Sequence, residues 1–119
     1  MRIRITKTQY EILEHRLSIP DCIADAMNCG VFEQNVKEDD VYDSAYKLEE
    51  MAKKGSIQWA TLTDLDKDVL WDALDGSTFI GSSDGYVSPQ QLRGYQRSFG
   101  NLVDKLEAAG LPQVTCGFI

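Results

Sequence analysis

The sequence predicts an α+β domain, mainly helical, with about four to five helices and a small antiparallel sheet from its N- and C-terminal strands. Three observations lead there. Five stretches repeat apolar residues at helical spacing and carry capping or breaking residues at their ends. Arg2 to Thr6 alternates with apolar Ile3 and Ile5, and the tail from Gln113 to Ile119 is apolar enough to lie beside it. The 119 residues, 43% of them apolar, suffice for one core and a single domain over 1–119, with no cofactor, metal or disulfide required.

The elements follow in order. Ile3 and Ile5 share one face of a first strand at period two. Thr8-Gln9-Tyr10-Glu11 matches a capping box, so a helix carrying Ile12, Leu13 and Leu17 should start there. Ser18-Ile19-Pro20 interrupts it, because the residue before proline is pushed out of the α region. Pro20 opens a second helix over 20–28, burying Ile23, Ala24 and Met27. Asp39 or Asp40 caps a third, which runs to Lys54 with Gly55 at its left-handed end. Val41, Ala45, Leu48 and Ala52 form its inner face, beside Met51.

Ser56 to Leu62 reads as extended. Thr63 caps a fourth helix over Asp64 to Asp75, closed by Gly76, and Ser77 to Ile80 reads as a strand. Gly81 to Gly85 is a turn or loop. Ser88-Pro89 starts the last helix, where Leu92, Tyr95, Phe99, Leu102, Leu106 and Ala109 recur at spacings of three and four. Gly110 and Pro112 end it.

The charge is uneven. The chain carries −7 overall, but residues 21–84 hold 15 of the 19 acids and 5 of the 12 bases, a balance of −10, and the flanks stand at +3. Nucleic acid needs cations facing its phosphates, so direct binding is disfavoured, although Arg2, Arg4, Lys7 and Arg16 could form a small basic patch. A negative middle suits a basic protein partner, and it equally suits plain solubility. No stretch approaches the roughly 18–20 apolar residues that cross a bilayer. The N-terminus lacks the continuous apolar run of a secretory signal, so the expectation is a cytoplasmic protein without a membrane partner. Cys22, Cys29 and Cys116 are odd in number and unpaired in spacing, which points to buried, reduced thiols.

Thr63 to Gly76 is the most informative segment. Asp64, Asp66, Asp68, Asp72 and Asp75 fall at positions 1, 3, 5, 9 and 12 of a calcium loop and resemble that family in those residues alone. Val69 stands where the loop needs glycine, and Asp75 where it uses a longer glutamate. As a helix the same segment places Asp64, Asp68, Asp72 and Asp75 within a sector of about 80°. That acidic ridge is either a solvated face or a recognition face with Trp71 as its aromatic anchor. Tyr42 and Tyr46, one turn apart beside Asp39, Asp40 and Asp43, are either core-boundary residues or a second aromatic-and-acid surface.

Catalysis finds little to stand on. The one histidine, His15, sits between Glu14 and Arg16, with no cysteine placed beside it by the sequence. Gly81 to Gly85 lacks the Gly-Lys-Ser/Thr of a phosphate loop, and Cys22 with Cys29 makes no zinc site alone. A small enzyme would need an apolar cleft holding a carboxylate or Cys116.

In style the chain resembles the small accessory proteins of phages and mobile elements. The resemblance lies in its compact acidic character, the Met1-to-Thr6 strand, the Leu62-to-Phe79 segment and the Ser88-Pro89-Gln90-Gln91-Leu92 helix start. Such proteins include inhibitors of host defence, anti-restriction and anti-CRISPR proteins among them, and some offer carboxylates where a partner expects phosphates. The resemblance implies a non-enzymatic inhibitor whose acidic surface meets a basic or nucleic-acid-binding protein complex. The alternatives are a calcium module on Asp64 to Asp75, a small enzyme, or an oligomer paired through the Leu92-to-Leu106 stripe. The sequence does not decide between monomer and dimer.

Overall fold

The structure, a computed structural model, describes residues 1–29, 35–75, 78–79, 89–114 and 117–118. Five α-helices and four short strands occur among them: β1 (Arg2–Arg4), α1 (Lys7–Leu17), α2 (Pro20–Cys29), α3 (Glu38–Lys53), β2 (Ser56–Gln58), α4 (Asp64–Leu74), β3 (Thr78–Phe79), α5 (Pro89–Ala109) and β4 (Gly117–Phe118). A single 3-10 turn, Trp59–Thr61, links β2 to α4. The mainly helical α+β class is as the periodicity predicts.

Helix starts follow local chemistry. The cap of α1 is Thr6, two residues earlier than expected. Its hydroxyl accepts from the Gln9 amide, and the Gln9 side chain accepts from the Thr6 amide. Thr8 therefore lies inside the first turn. The Thr8-to-Glu11 pattern misleads because glutamine closes a capping box as well as glutamate does. Thr63 caps α4 as predicted, with Asp66 closing the box. α3 begins at Glu38 after Lys37, so Asp39 and Asp40 sit in its first turn and complement the helix dipole without capping it. Gly55, at φ +95°, and Gly110, at φ +122°, take the left-handed conformation that ends α3 and α5.

The packed faces are those the spacing selects. Ile3, Ile5, Ile12, Leu13, Leu17, Ile23, Ala24, Met27, Val41, Ala45, Leu48 and Ala52 are all buried, and Val69, Leu70, Ala73 and Leu74 carry α4 into the same core. Phe99, Leu102, Val103 and Leu106 of α5 close it, so the described part of the apolar stripe packs within the domain instead of awaiting a second copy. α3 is central, packing on α1, α2 and α4.

The sheet differs from expectation in its partner. β1 pairs antiparallel with β2, in the register Arg2 to Gln58, Ile3 to Ile57 and Arg4 to Ser56. The C-terminal β4 pairs in parallel with β3. Gly55 turns the chain directly into β2, and its carbonyl accepts from the Ile5 amide at 2.8 Å, so the central strand reaches β1 first. Gly76 and the Gly81-to-Gly85 loop lie outside the described residues, as do Cys116 and Ser88.

Cys22 and Cys29 are exposed, which corrects the expectation of buried thiols. The inner face of α2 belongs to Pro20, Ile23, Ala24 and Met27, and the two thiols stand on its outer side. His15 is exposed. No helix among the described residues is long and apolar enough to cross a membrane.

Candidate functional site

α4 carries the acidic ridge. Asp64 and Asp68 are exposed and Asp72 is half-buried, on successive turns of one face. Asp75 does not continue it. The helix stops at Leu74 and Asp75 turns extended, at φ −71° and ψ 141°, with its amide bonded to the Trp71 carbonyl at 2.7 Å. The ridge is therefore three helical carboxylates with a fourth just beyond the helix end.

The electrostatics of the ridge are unfavourable in isolation. Partial burial, reinforced by the charges of Asp68 and Asp75, pushes the Asp72 carboxyl up to about 6. Burial and Asp64 push Asp68 upward as well. No cation among the described residues faces either group. Asp72 also lies in the last turn of α4, at the negative end of the helix dipole, where Arg16 of α1 donates its Nε to the next carbonyl, that of Ala73, at 3.0 Å.

Asp66 is the opposite case. It is buried at 4% exposure and turned toward α3. Its carboxylate accepts from Ser44 Oγ at 2.6 Å, Lys47 Nζ at 2.6 Å and the Thr63 amide at 2.9 Å. Burial alone would raise its pKa. The hydrogen bonds from Lys47, Ser44 and Thr63, with the charge of Lys47, hold it below the usual carboxylate value. This cluster locks α4 onto α3. The pattern Thr63-x-x-Asp66 could have revealed its capping half, but nothing in the sequence marks Ser44 and Lys47 as its partners.

The helix also decides the calcium reading. At about 100° per residue, Asp66 points some 160° away from Asp64 and Asp68. Carboxylates at loop positions 1, 3 and 5 cannot converge on one ion from such a helix, and Asp66 is already satisfied by protein donors. No group of three metal-ligating side chains occurs among the described residues.

Trp71 is half-buried and donates its indole N–H to the Gln113 carbonyl at 3.1 Å. Its polar edge ties the segment after α5 to α4, so a partner would meet only the remaining ring surface. The α3 candidates form a separate face. Asp39, Asp40 and Asp43 are exposed, and Tyr46 is 62% exposed. Tyr42 is half-buried, and its hydroxyl is raised by burial and by the nearby Asp21 and Glu38. Because α4 turns Asp66 toward α3, its ridge points away, and the two acidic faces do not merge.

A shallow groove of about 270 Å³ lies between α1 and α5, lined by Thr8, Glu11, Gln91, Gly94, Tyr95 and Ser98. It holds one carboxylate and neither histidine nor cysteine. Comparison with protein-family models, curated proteins and solved structures found no match.

Proposed function

We propose that this chain is a non-enzymatic binding protein that docks the α4 ridge into a basic surface of a protein partner. The observation that carries the reading is geometric: Asp64, Asp68 and Asp72 stand on successive turns of one helix face, with no cation of the described residues against Asp68 or Asp72. A fold that only needed solubility gains nothing from three adjacent like charges, which destabilise a helix at i, i+4 spacing. A cationic groove would relieve both the repulsion and the raised pKa of Asp72. Carboxylates spaced about 6 Å along the helix axis give a row of charge that a nucleic-acid-binding surface can accept in place of phosphates. The resemblance to phage accessory proteins makes a host-defence complex the partner of choice. The exposed Tyr46 with Asp39, Asp40 and Asp43 supplies a second contact on another side.

The test is capture from a host lysate with two baits, the natural chain and Asp68→Lys/Asp72→Lys. The reading expects a protein retained by the natural chain, released by salt, and absent from the doubly reversed bait. Identical retention by both baits removes the ridge as the docking face.

A further inference from the structure

Half of the cations of this chain gather at one end of the molecule. Arg2 and Arg4 flank buried Ile3 on β1 and project from the outer face of the β1–β2 ribbon. Opposite them stand Gln58 and Ser56, both uncharged. The bond from the Ile5 amide to the Gly55 carbonyl draws the end of α3, with exposed Lys53 and Lys54, against the start of α1, where Lys7 is exposed. Lys105 reaches across from α5 and donates to the Arg4 carbonyl at 2.9 Å. Arg16 does not join them, since its Nε donates to the Ala73 carbonyl.

The neighbouring carboxylates are Glu11, one turn after Lys7, and Glu49 and Glu50, one turn before Lys53 and Lys54. Both of the latter glutamates lie close enough to α1 to raise the Tyr10 hydroxyl together with Glu14. Among the described residues, Arg2, Arg4, Lys7, Lys53 and Lys54 pair with no carboxylate at all. In a chain with 19 acids and 12 bases, that grouping is not needed for solubility. An added peptide strand is a poor occupant. Lys105 already holds the Arg4 carbonyl on one outer edge of the ribbon, and the Thr61 hydroxyl holds the Gln58 carbonyl at 2.7 Å on the other. The open surface is the cationic outer face of the ribbon.

We infer that this face takes the phosphate backbone of a nucleic acid. Guanidinium groups match phosphate geometry with paired N–H donors, which a lysine-only patch would not do. Arg2 and Arg4, two residues apart on one face of a strand, are spaced about 6.8 Å, so both side chains can reach phosphates of one backbone. The face has no arrangement of side chains that would read bases, so binding is independent of sequence. It uses residues distinct from the α4 ridge and does not depend on the ridge reading, though both could serve a partner already holding nucleic acid.

The charge asymmetry gives this contact an unusual salt dependence. The molecule measures 39 × 31 × 22 Å. At 0.01 M salt the Debye length is about 30 Å, so the whole charge of −7 acts on an approaching polyanion. At 0.15 M it is about 8 Å, so the basic end acts almost alone. Affinity should therefore peak at intermediate salt and fall at higher salt.

The experiment is fluorescence anisotropy with a labelled 20-base-pair duplex and a single strand of the same length, across a salt series. Polyglutamate is the competitor. The expected result is binding to either probe with a maximum near 0.1 M salt, at least tenfold weaker competition by polyglutamate than by unlabelled DNA, and roughly tenfold loss in Arg2→Ala/Arg4→Ala. Circular dichroism checks that this surface variant keeps its fold. Asp68→Lys/Asp72→Lys should bind as well as or better than the natural chain, which separates this face from the ridge. No binding to either probe, equal competition by polyglutamate, or no loss in the folded double-alanine variant overturns the inference.

Discussion

Asp66 and Asp72 lie on the same helix and meet opposite electrostatic fates. Asp66 receives three hydrogen bonds, one of them from the Lys47 ammonium, which hold its pKa below the usual 3.8. Its contribution to stability is complete above pH 3.8 and is lost as pH falls through the lower folded value. Asp66→Asn should destabilise the protein by about 2 kcal/mol at pH 7, because Lys47 and Ser44 lose their acceptor in a partly buried site. Asp72 behaves in the reverse sense. Its folded pKa of about 6 exceeds the ordinary 3.8, so its contribution is favourable below pH 3.8 and is lost as pH rises through 6. Asp72→Asn should stabilise the free protein by about 1 kcal/mol at pH 7, after allowance for solvent screening at a half-exposed site, and the gain should vanish below pH 4. Urea unfolding of both variants at pH 7 and pH 4 checks the pair. A position where the natural residue is worse for the fold than its isostere is one the fold alone does not explain.

Helix ends and helix interiors carry their own predictions. Thr63→Ala removes one half of the α4 capping box and should cost about 1 kcal/mol, read as a lower thermal midpoint. Gly94 lies inside α5, and an added methyl there meets nothing within 4 Å. Gly94→Ala should therefore stabilise by up to about 1 kcal/mol, through helix propensity alone. These elements were legible in the sequence to different degrees. Inner faces such as Ile23-Ala24-Met27 and Val41-Ala45-Leu48-Ala52 followed from period 3.6, because burial on one side is what that period encodes. The α1 cap was misplaced by two residues because Thr6 and Thr8 offer the same chemistry and only Gln9 distinguishes them. Strand partnering was not legible: Ile57 and the C-terminal tail are equally apolar candidates for β1, and only the Gly55 turn decides. The acidic ridge was readable as helix geometry. The burial of Asp66 was not, since it depends on Ser44 and Lys47 of another helix.

At the scale of the molecule, charge is sorted by end and face. The ribbon end is cationic and the α4 ridge and the α3 start are anionic; the cationic end draws Arg2, Arg4, Lys7 and Lys105 from the flanking segments and Lys53 and Lys54 from the end of α3. Association through the ridge should weaken steeply between 0.05 and 0.5 M salt, as the Debye length drops from roughly 14 Å to about 4 Å. Surface plasmon resonance with an immobilised basic partner would show the change mainly in the association rate. The measurement that bears most directly on the ridge is a carbon-detected NMR titration of the Asp72 carboxyl, free and with a saturating polyarginine peptide. The account predicts a midpoint of about 6 in the free protein and a lower one with the peptide bound. A free midpoint at or below 4, or one that the bound peptide leaves unmoved, contradicts it.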